Sequence, residues 1–255
     1  MTDQGPVYSV SLARTDADLR AAQRLRYDVF IREMGARGGA DVDHDAGLER
    51  DRFDAFCDHM IVRDETRGQV AGVYRLMRAE LAEHAGQYYS ESEYDLSALF
   101  DSGRRLLELG RTCLHPAYRG GTAMLHMWTG LASYVHKYDI ELLFGVASFP
   151  GTNLEVLAAP LSVLHHRHLA PQELRVRAKP DGRAPIDLID EAQLDRRAAM
   201  VATPALIKGY LRLGAVVGDG AFVDYEFNTT DVCLILDTAR LNQMQRRIYD
   251  LDPAQ

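Results

Sequence analysis

The stretch LLELGRTCLHPAYRGG, Leu106 to Gly121, does most to limit what this chain can fold into. An apolar strand carrying a lone Glu108 and Arg111 runs through His115-Pro116 into a basic double-glycine turn. A helix, TAMLHMWTGLASYVHKY, comes next from about Thr122 to Tyr138, and then IELLFGVASF, a short apolar run of buried-strand type stopped by Pro150-Gly151. Strand, turn, helix and strand in that order call for a sheet with a helix laid on it.

The rest of the chain extends that frame. Thr15 and Asp18 have the spacing of a capping box, and Leu19, Ala22, Leu25, Val29 and Phe30 recur at helical spacing, so Asp16 to Met34 is predicted as one amphipathic helix. Gly35 to Arg50, rich in glycine and aspartate, is predicted as a loop. HMIVRD and QVAGVYRLMR are predicted as two strands joined by a tight turn at Thr66-Arg67-Gly68. Glu80 to Asp101 is polar and indefinite, with a short helix expected near its end. NLEVLAAPLSVLHHRH should be helical, Pro171 to Pro185 linker-like, and Pro204 to Leu213 a helix closed by Gly214. AFVDYEF and DVCLILD supply two last strands before a polar tail. The order predicts one α/β or α+β domain over 1–255, a mixed sheet with helices on both faces, with 1–14 and 240–255 peripheral.

Composition narrows the function classes. The 255 residues, 47% of them hydrophobic, can bury a full core. Three cysteines lie far apart, so neither a disulfide framework nor a zinc knuckle is indicated, and a reducing cytoplasm is the expected location. No apolar run approaches the roughly 18 residues of a membrane span. A net charge of −8, from 29 basic and 37 acidic residues, argues against nucleic-acid binding. The charge is uneven: Asp41 to Glu65 holds nine acids against three arginines, whereas His165 to Arg183 holds five bases against two acids. These segments are either an acidic mouth for a cation and a basic patch for an anion, or solvated surface.

Glu108 and Arg111 stand an odd number apart, so a regular strand would point them to opposite faces. If both line one site, Gly110 should mark a bulge, which would also free a backbone N–H for an oxyanion. Arg119-Gly120-Gly121-Thr122 opens a helix, so its N–H groups suit a phosphate, or simply start a helix. His165, His166 and His168 lack the four-residue spacing of a helical metal pair, and no metal site is expected. Cys113 and Tyr210 are assigned to packing. The residues alone lead to an enzyme that uses a cofactor or thioester.

Taken together, RLRYDVFIREMGA, DRFDAFCDHMIVRD, GVYRLMR, LELGRTCLHPAYRGG and FGVASFPGT resemble the ornithine-lipid synthesis N-acyltransferases of the GNAT superfamily, over Leu19 to Leu236. That family is similar to the acyl-homoserine-lactone autoinducer synthases. The resemblance implies a GNAT-like fold and transfer of a 3-hydroxyacyl chain from acyl carrier protein to the α-amine of ornithine, giving lyso-ornithine lipid. It implies Glu108 and Arg111 as catalytic residues and Arg26, Phe30, Asp51, Asp54, Asp58, Arg75 and Ser148 on the substrate side. Arg119, Gly120, Gly121 and Thr122 would hold the donor's phosphopantetheine, with no permanently bound cofactor. Thr122 and Met124 stand where acetyltransferases place Gly or Ala, which suits a carrier-protein donor better than coenzyme A. Trp128 is the only tryptophan, and none follows Phe30 as in the autoinducer synthases, which speaks against a nucleoside-methionine acceptor.

An α-amine is about one-tenth neutral at pH 7, so supplying the free base is worth only about 1–1.5 kcal/mol. Positioning two reactants supplies several times that. Glu108 therefore needs only to orient the amine or pass its proton to water. The acidic stretch, through Asp51, Asp54 or Asp58, would pair with a side-chain ammonium, and the basic stretch would receive carrier protein or anionic headgroups at the inner membrane face. The alternatives are glutamine or another amino acid as acceptor, and a non-catalytic module that binds acyl chains or carrier protein and has no use for Glu108.

Overall fold

The structure, a computed structural model, describes residues 5–240; the polar tail expected to be peripheral lies almost wholly outside the described residues. The chain divides into two compact units. Among the described residues, one holds the chain up to Met77 together with Leu109–Asp139, and the other holds Arg78–Glu108 and Ile140 to Arg240.

In the first unit, Tyr8–Leu12 pairs antiparallel with Asp58–Asp64, which pairs antiparallel with Gln69–Arg78. Gln69–Arg78 in turn neighbours the strand Leu106–Leu114. The predicted hairpin is present. The Tyr8–Leu12 strand, inside the segment expected to be peripheral, is an addition that five residues of weak alternation did not announce. Side chains alternate across a sheet, and the two faces are covered differently. Ile61, Val73 and Cys113 pack against Ala22, Leu25 and Val29 of the first helix, with Phe30 resting on the same cluster. On the opposite face lies the helix Ala123–Lys137. A Cβ added at its Gly130 would stand 2.5 Å from Val10 Cγ1 and 3.1 Å from Met60 Sδ, so only glycine allows this approach.

The first helix begins as predicted: Thr15 Oγ1 accepts from the Asp18 N–H at 3.1 Å, and the Asp18 carboxylate accepts from the Thr15 N–H at 3.2 Å. It does not run to Met34 as one α-helix. The α-helix spans Asp16–Arg26 and gives way to a π-helix over Tyr27–Glu33, where the Met34 N–H reaches back five residues to the Val29 carbonyl at 3.0 Å. Apolar spacing alone does not distinguish the two turns.

In the second unit, Leu106–Glu108 pairs parallel with Leu142–Phe144. Leu142–Pro150 then pairs antiparallel with Thr229–Asp237 over its whole length, Thr229–Asp237 with Ala221–Asp224, and that strand with Arg183–Ala184. The sheet is therefore mixed, as expected. The helices Leu154–His168 and Ala205–Arg212 are found where predicted. Pro171 to Pro185 is not a linker: it carries a 3-10 turn and the short strands Arg177–Ala178 and Arg183–Ala184. Its small apolar residues, Val176, Ala178 and Ala184, are all buried, as is Ile186 just beyond, and charged neighbours had masked their alternation. A further helix, Arg196–Ala202, is capped by Asp195. No described helix is long and apolar enough to cross a membrane.

Candidate active site

The first unit buries a network of three arginines and three acids. Arg26, only 1% exposed, ends the α-helix and donates through Nη1 and Nη2 to both oxygens of Asp54, at 2.9 and 2.8 Å. Its Nε donates to Glu49 Oε2, and Nη2 also reaches the Glu49 carbonyl at 2.7 Å. Arg75 donates to Asp51 at 2.6 and 2.7 Å and to Asp54 at 3.0 Å. Arg111 completes the set, donating to Glu49 Oε1 and Asp51 Oδ2, each at 3.1 Å. Gln23 Nε2 donates to Asp54 at 2.8 Å.

Burial alone would raise the Asp54 pKa, but the facing Arg26 and Arg75 guanidiniums overcome it and hold the carboxyl well below the usual carboxylate range. Asp51 is shifted down in the same way, with burial opposed by Arg75 and Arg111. His59, whose Nε2 lies 2.9 Å from the Asp54 carbonyl, is pushed down by burial despite the neighbouring carboxylate.

The acidic stretch thus spends its inner carboxylates on arginines. Asp58 accepts from the Tyr134 hydroxyl at 2.6 Å. An open groove of about 710 Å³ runs beside the network, lined by residues that include Asp41, Asp43, Asp45 and Asp51. Phe30 is half-buried and packs on the apolar cluster.

Arg111 owes its direction to an unusual backbone. Its φ is +49°, in the left-handed region that costs an L-residue about 1–2 kcal/mol. The irregularity expected at Gly110 therefore falls one residue later: Gly110 itself is not left-handed. A left-handed residue breaks the two-residue alternation of the strand, and Arg111 turns to Glu49 and Asp51.

Glu108, in the second unit, is 4% exposed. Its Oε2 accepts from the Tyr89 N–H at 2.9 Å and its Oε1 from the Ser90 N–H at 2.6 Å. Two consecutive backbone donors, at the start of the 3-10 turn Tyr89–Ser92, clamp the carboxyl plane. Tyr88, directly before them, stacks its ring against Phe100 and meets the Phe144 ring edge-on. Its hydroxyl is buried without a hydrogen-bond partner, and its pKa is raised by burial and then by Glu108. Ser148 lies half-buried in Leu142–Pro150, paired across the ladder with Asp231.

The double-glycine turn is present, with Gly120 at φ +75° and Thr122 preceding Ala123–Lys137 without a side-chain cap. Arg119 holds both oxygens of Glu33, at 2.5 and 2.8 Å. In the basic stretch, Arg167 pairs with Glu191 at 2.6 Å and Arg183 with Asp219 at 3.2 Å, so part of its charge is balanced internally.

Sequence reasoning missed Glu49, Tyr88 and Ser90. Glu49 was one acid among nine in its segment, and only the two arginines that close on it from 23 and 62 residues away set it apart.

Comparison with known proteins gives a consistent picture. A GNAT acetyltransferase domain matches residues 25–129. The chain is 51% identical to the L-ornithine N(alpha)-acyltransferase of Rhodobacter capsulatus, over 95% of this chain and 94% of that one. It is 42% identical to the enzyme of the same name from Brucella abortus, over 94% and 88% of the two chains. Among solved structures, it is similar to FeeM, an N-acyl amino acid synthase from uncultured soil microbes, with a TM-score of 0.53 and 11% identity over 95% and 98% of the chains. The last likeness concerns the fold.

Proposed function

Because the chain belongs to the L-ornithine Nα-acyltransferase family of GNAT enzymes, we propose that it transfers a 3-hydroxyacyl chain from the phosphopantetheine thioester of acyl carrier protein to the α-amine of ornithine, forming lyso-ornithine lipid. The end-to-end relationship to two enzymes of that name carries the reading.

In this reaction the neutral amine attacks the thioester carbonyl carbon. The N–C bond forms, the C–S bond breaks, the nitrogen loses a proton and the departing sulfur gains one. Glu108 is suited to the amine side: with its carboxyl plane fixed by the Tyr89 and Ser90 N–H groups, it is oriented to hold an amine N–H and to accept or relay the proton. The arginine and carboxylate network of Arg26, Glu49, Asp51, Asp54, Arg75 and Arg111 supplies a rigid, charge-balanced support. Arg119, Gly120, Gly121 and Thr122 offer helix-start N–H groups to the single phosphate of the donor arm. No permanently bound cofactor is required. The amphiphilic product favours a cytoplasmic enzyme in peripheral contact with the inner face of the membrane.

The test is a mass spectrum of products after incubating the protein with 3-hydroxyacyl carrier protein, or with the 3-hydroxyacyl coenzyme A thioester, and an equimolar mixture of amino acids. Acylornithine from the carrier-protein donor alone is the expected result. Acylglutamine would replace the acceptor, product from coenzyme A alone would replace the donor, and no product from either would leave a binding module.

A further inference from the structure

Resting on that reading, we propose that Glu93, Asp224 and Asp231, with the Thr229 hydroxyl, form the seat for the side-chain ammonium of the acceptor amino acid. One carboxylate oxygen from each acid lies within 4.8 Å of the others. Glu93 and Asp231 are 3% and 4% exposed, and Asp224 is half-buried, its Oδ1 fixed by the N–H groups of Glu226 and Phe227 at 2.8 and 3.0 Å.

A second, independent observation points the same way. Thr229 is 5% exposed, and its Oγ1 is buried with no hydrogen-bond partner. Thr229 pairs across the ladder with Asp224 and stands two residues before Asp231, so all three side chains leave the same face of the hairpin. Ser148, paired with Asp231 from the other side, shares that face. Cys233, next in this alternating row, has its thiol pushed up by burial, then by Glu108, and also by Glu93, so the clamped glutamate and the acid cluster act on one side chain.

The donor set favours an ammonium over a metal ion. A primary ammonium offers three N–H donors, matching three carboxylates, and the threonine oxygen adds a neutral acceptor. A calcium ion would need about 6–8 oxygen ligands. In the other unit, Asp51, Asp54 and Asp58 accept from arginine or tyrosine, so the acids singled out by charge density are engaged within the protein.

The experiment is calorimetric titration of the whole protein with L-ornithine and with L-norvaline, which is ornithine without its ammonium. The wild type should bind ornithine at least about tenfold more tightly than norvaline. Asp224→Asn and Asp231→Asn should each cut that ratio to about threefold or less and leave norvaline binding unchanged, and Thr229→Val should reduce it partially. Asp224 is half-buried, so its variant keeps the test alive if Asp231→Asn melts early. An unchanged ratio in a folded Asp224→Asn, equal loss of both ligands, or no preference for ornithine in the wild type would overturn the proposal. So would calcium or magnesium binding that these substitutions abolish while the ornithine ratio stands. If the product assay yields acylornithine while the ratio is unmoved, this site fails alone; if it yields another acylamino acid, the acceptor itself was wrong.

Discussion

Asp54→Asn is the sharpest probe of the buried network. The carboxylate accepts from Gln23, twice from Arg26 and once from Arg75. Asparagine keeps the shape, removes one of three negative charges and turns an NH₂ toward guanidinium donors. Breaking a buried ion pair by neutralising one partner costs about 3–5 kcal/mol. For a chain of 255 residues that is a fall in Tm of roughly 6–20 °C, at about 2–4 °C per kcal/mol. The pH dependence derives from the depressed carboxyl. A group whose folded pKa lies below its unfolded value of about 3.9 contributes fully above that value and loses its contribution as pH falls through the folded pKa. The difference between wild type and variant should therefore be flat from pH 8 to pH 5 and shrink only below about pH 4. Urea midpoints at closely spaced pH values measure this. A variant within about 1 kcal/mol of wild type at pH 7, or a gap already closing between pH 7 and pH 5, would refute the reasoning.

Glu108→Gln should lower kcat about tenfold at pH 7 if the carboxylate mainly helps the amine lose its proton, with the deficit closing as pH rises past the amine pKa. Stopped turnover at several pH values decides it, and a deficit that persists above pH 9 assigns Glu108 to positioning. Arg111 offers a matched pair: Arg111→Ala and Arg111→Gly both lose the bonds to Glu49 and Asp51, but glycine accepts φ +49°. Arg111→Gly should be more stable than Arg111→Ala by about 1 kcal/mol in urea unfolding, and equal stabilities would place the strain elsewhere.

Local signals were read correctly from the sequence because their causes are local. Thr15 and Asp18 cap each other across three residues, and the Asp58–Asp64 and Gln69–Arg78 hairpin is dictated by alternation and a tight turn. Arg26, Asp54, Arg75 and Arg111 were singled out by motif, and the structure brings them into one network. The partner of each acid was not legible. Asp54 meets an arginine 28 residues away, whereas Glu93 joins the hairpin acids Asp224 and Asp231 from a distant segment of the chain. Local charge counts an acid without knowing its neighbour. Pro171 to Pro185 failed for a related reason, since its buried alanines and valine are small and widely spaced among bases.

The π-helix at Tyr27–Glu33 makes chain length a determinant of this molecule. A turn closed five residues back, rather than four, accommodates one residue more than the α-helical turn it replaces. Deleting a single residue between Tyr27 and Glu33 would let the segment relax to α-helical winding, rotating the chain beyond Glu33 by about 100° relative to the helix before Tyr27. Arg26 would keep its place at the end of the α-helix while the approach to the Gly35 to Arg50 loop, which carries its partner Glu49, was re-aimed. A one-residue gap here in any relative should therefore be accompanied by compensating changes in that loop, whereas gaps in exposed turns need none.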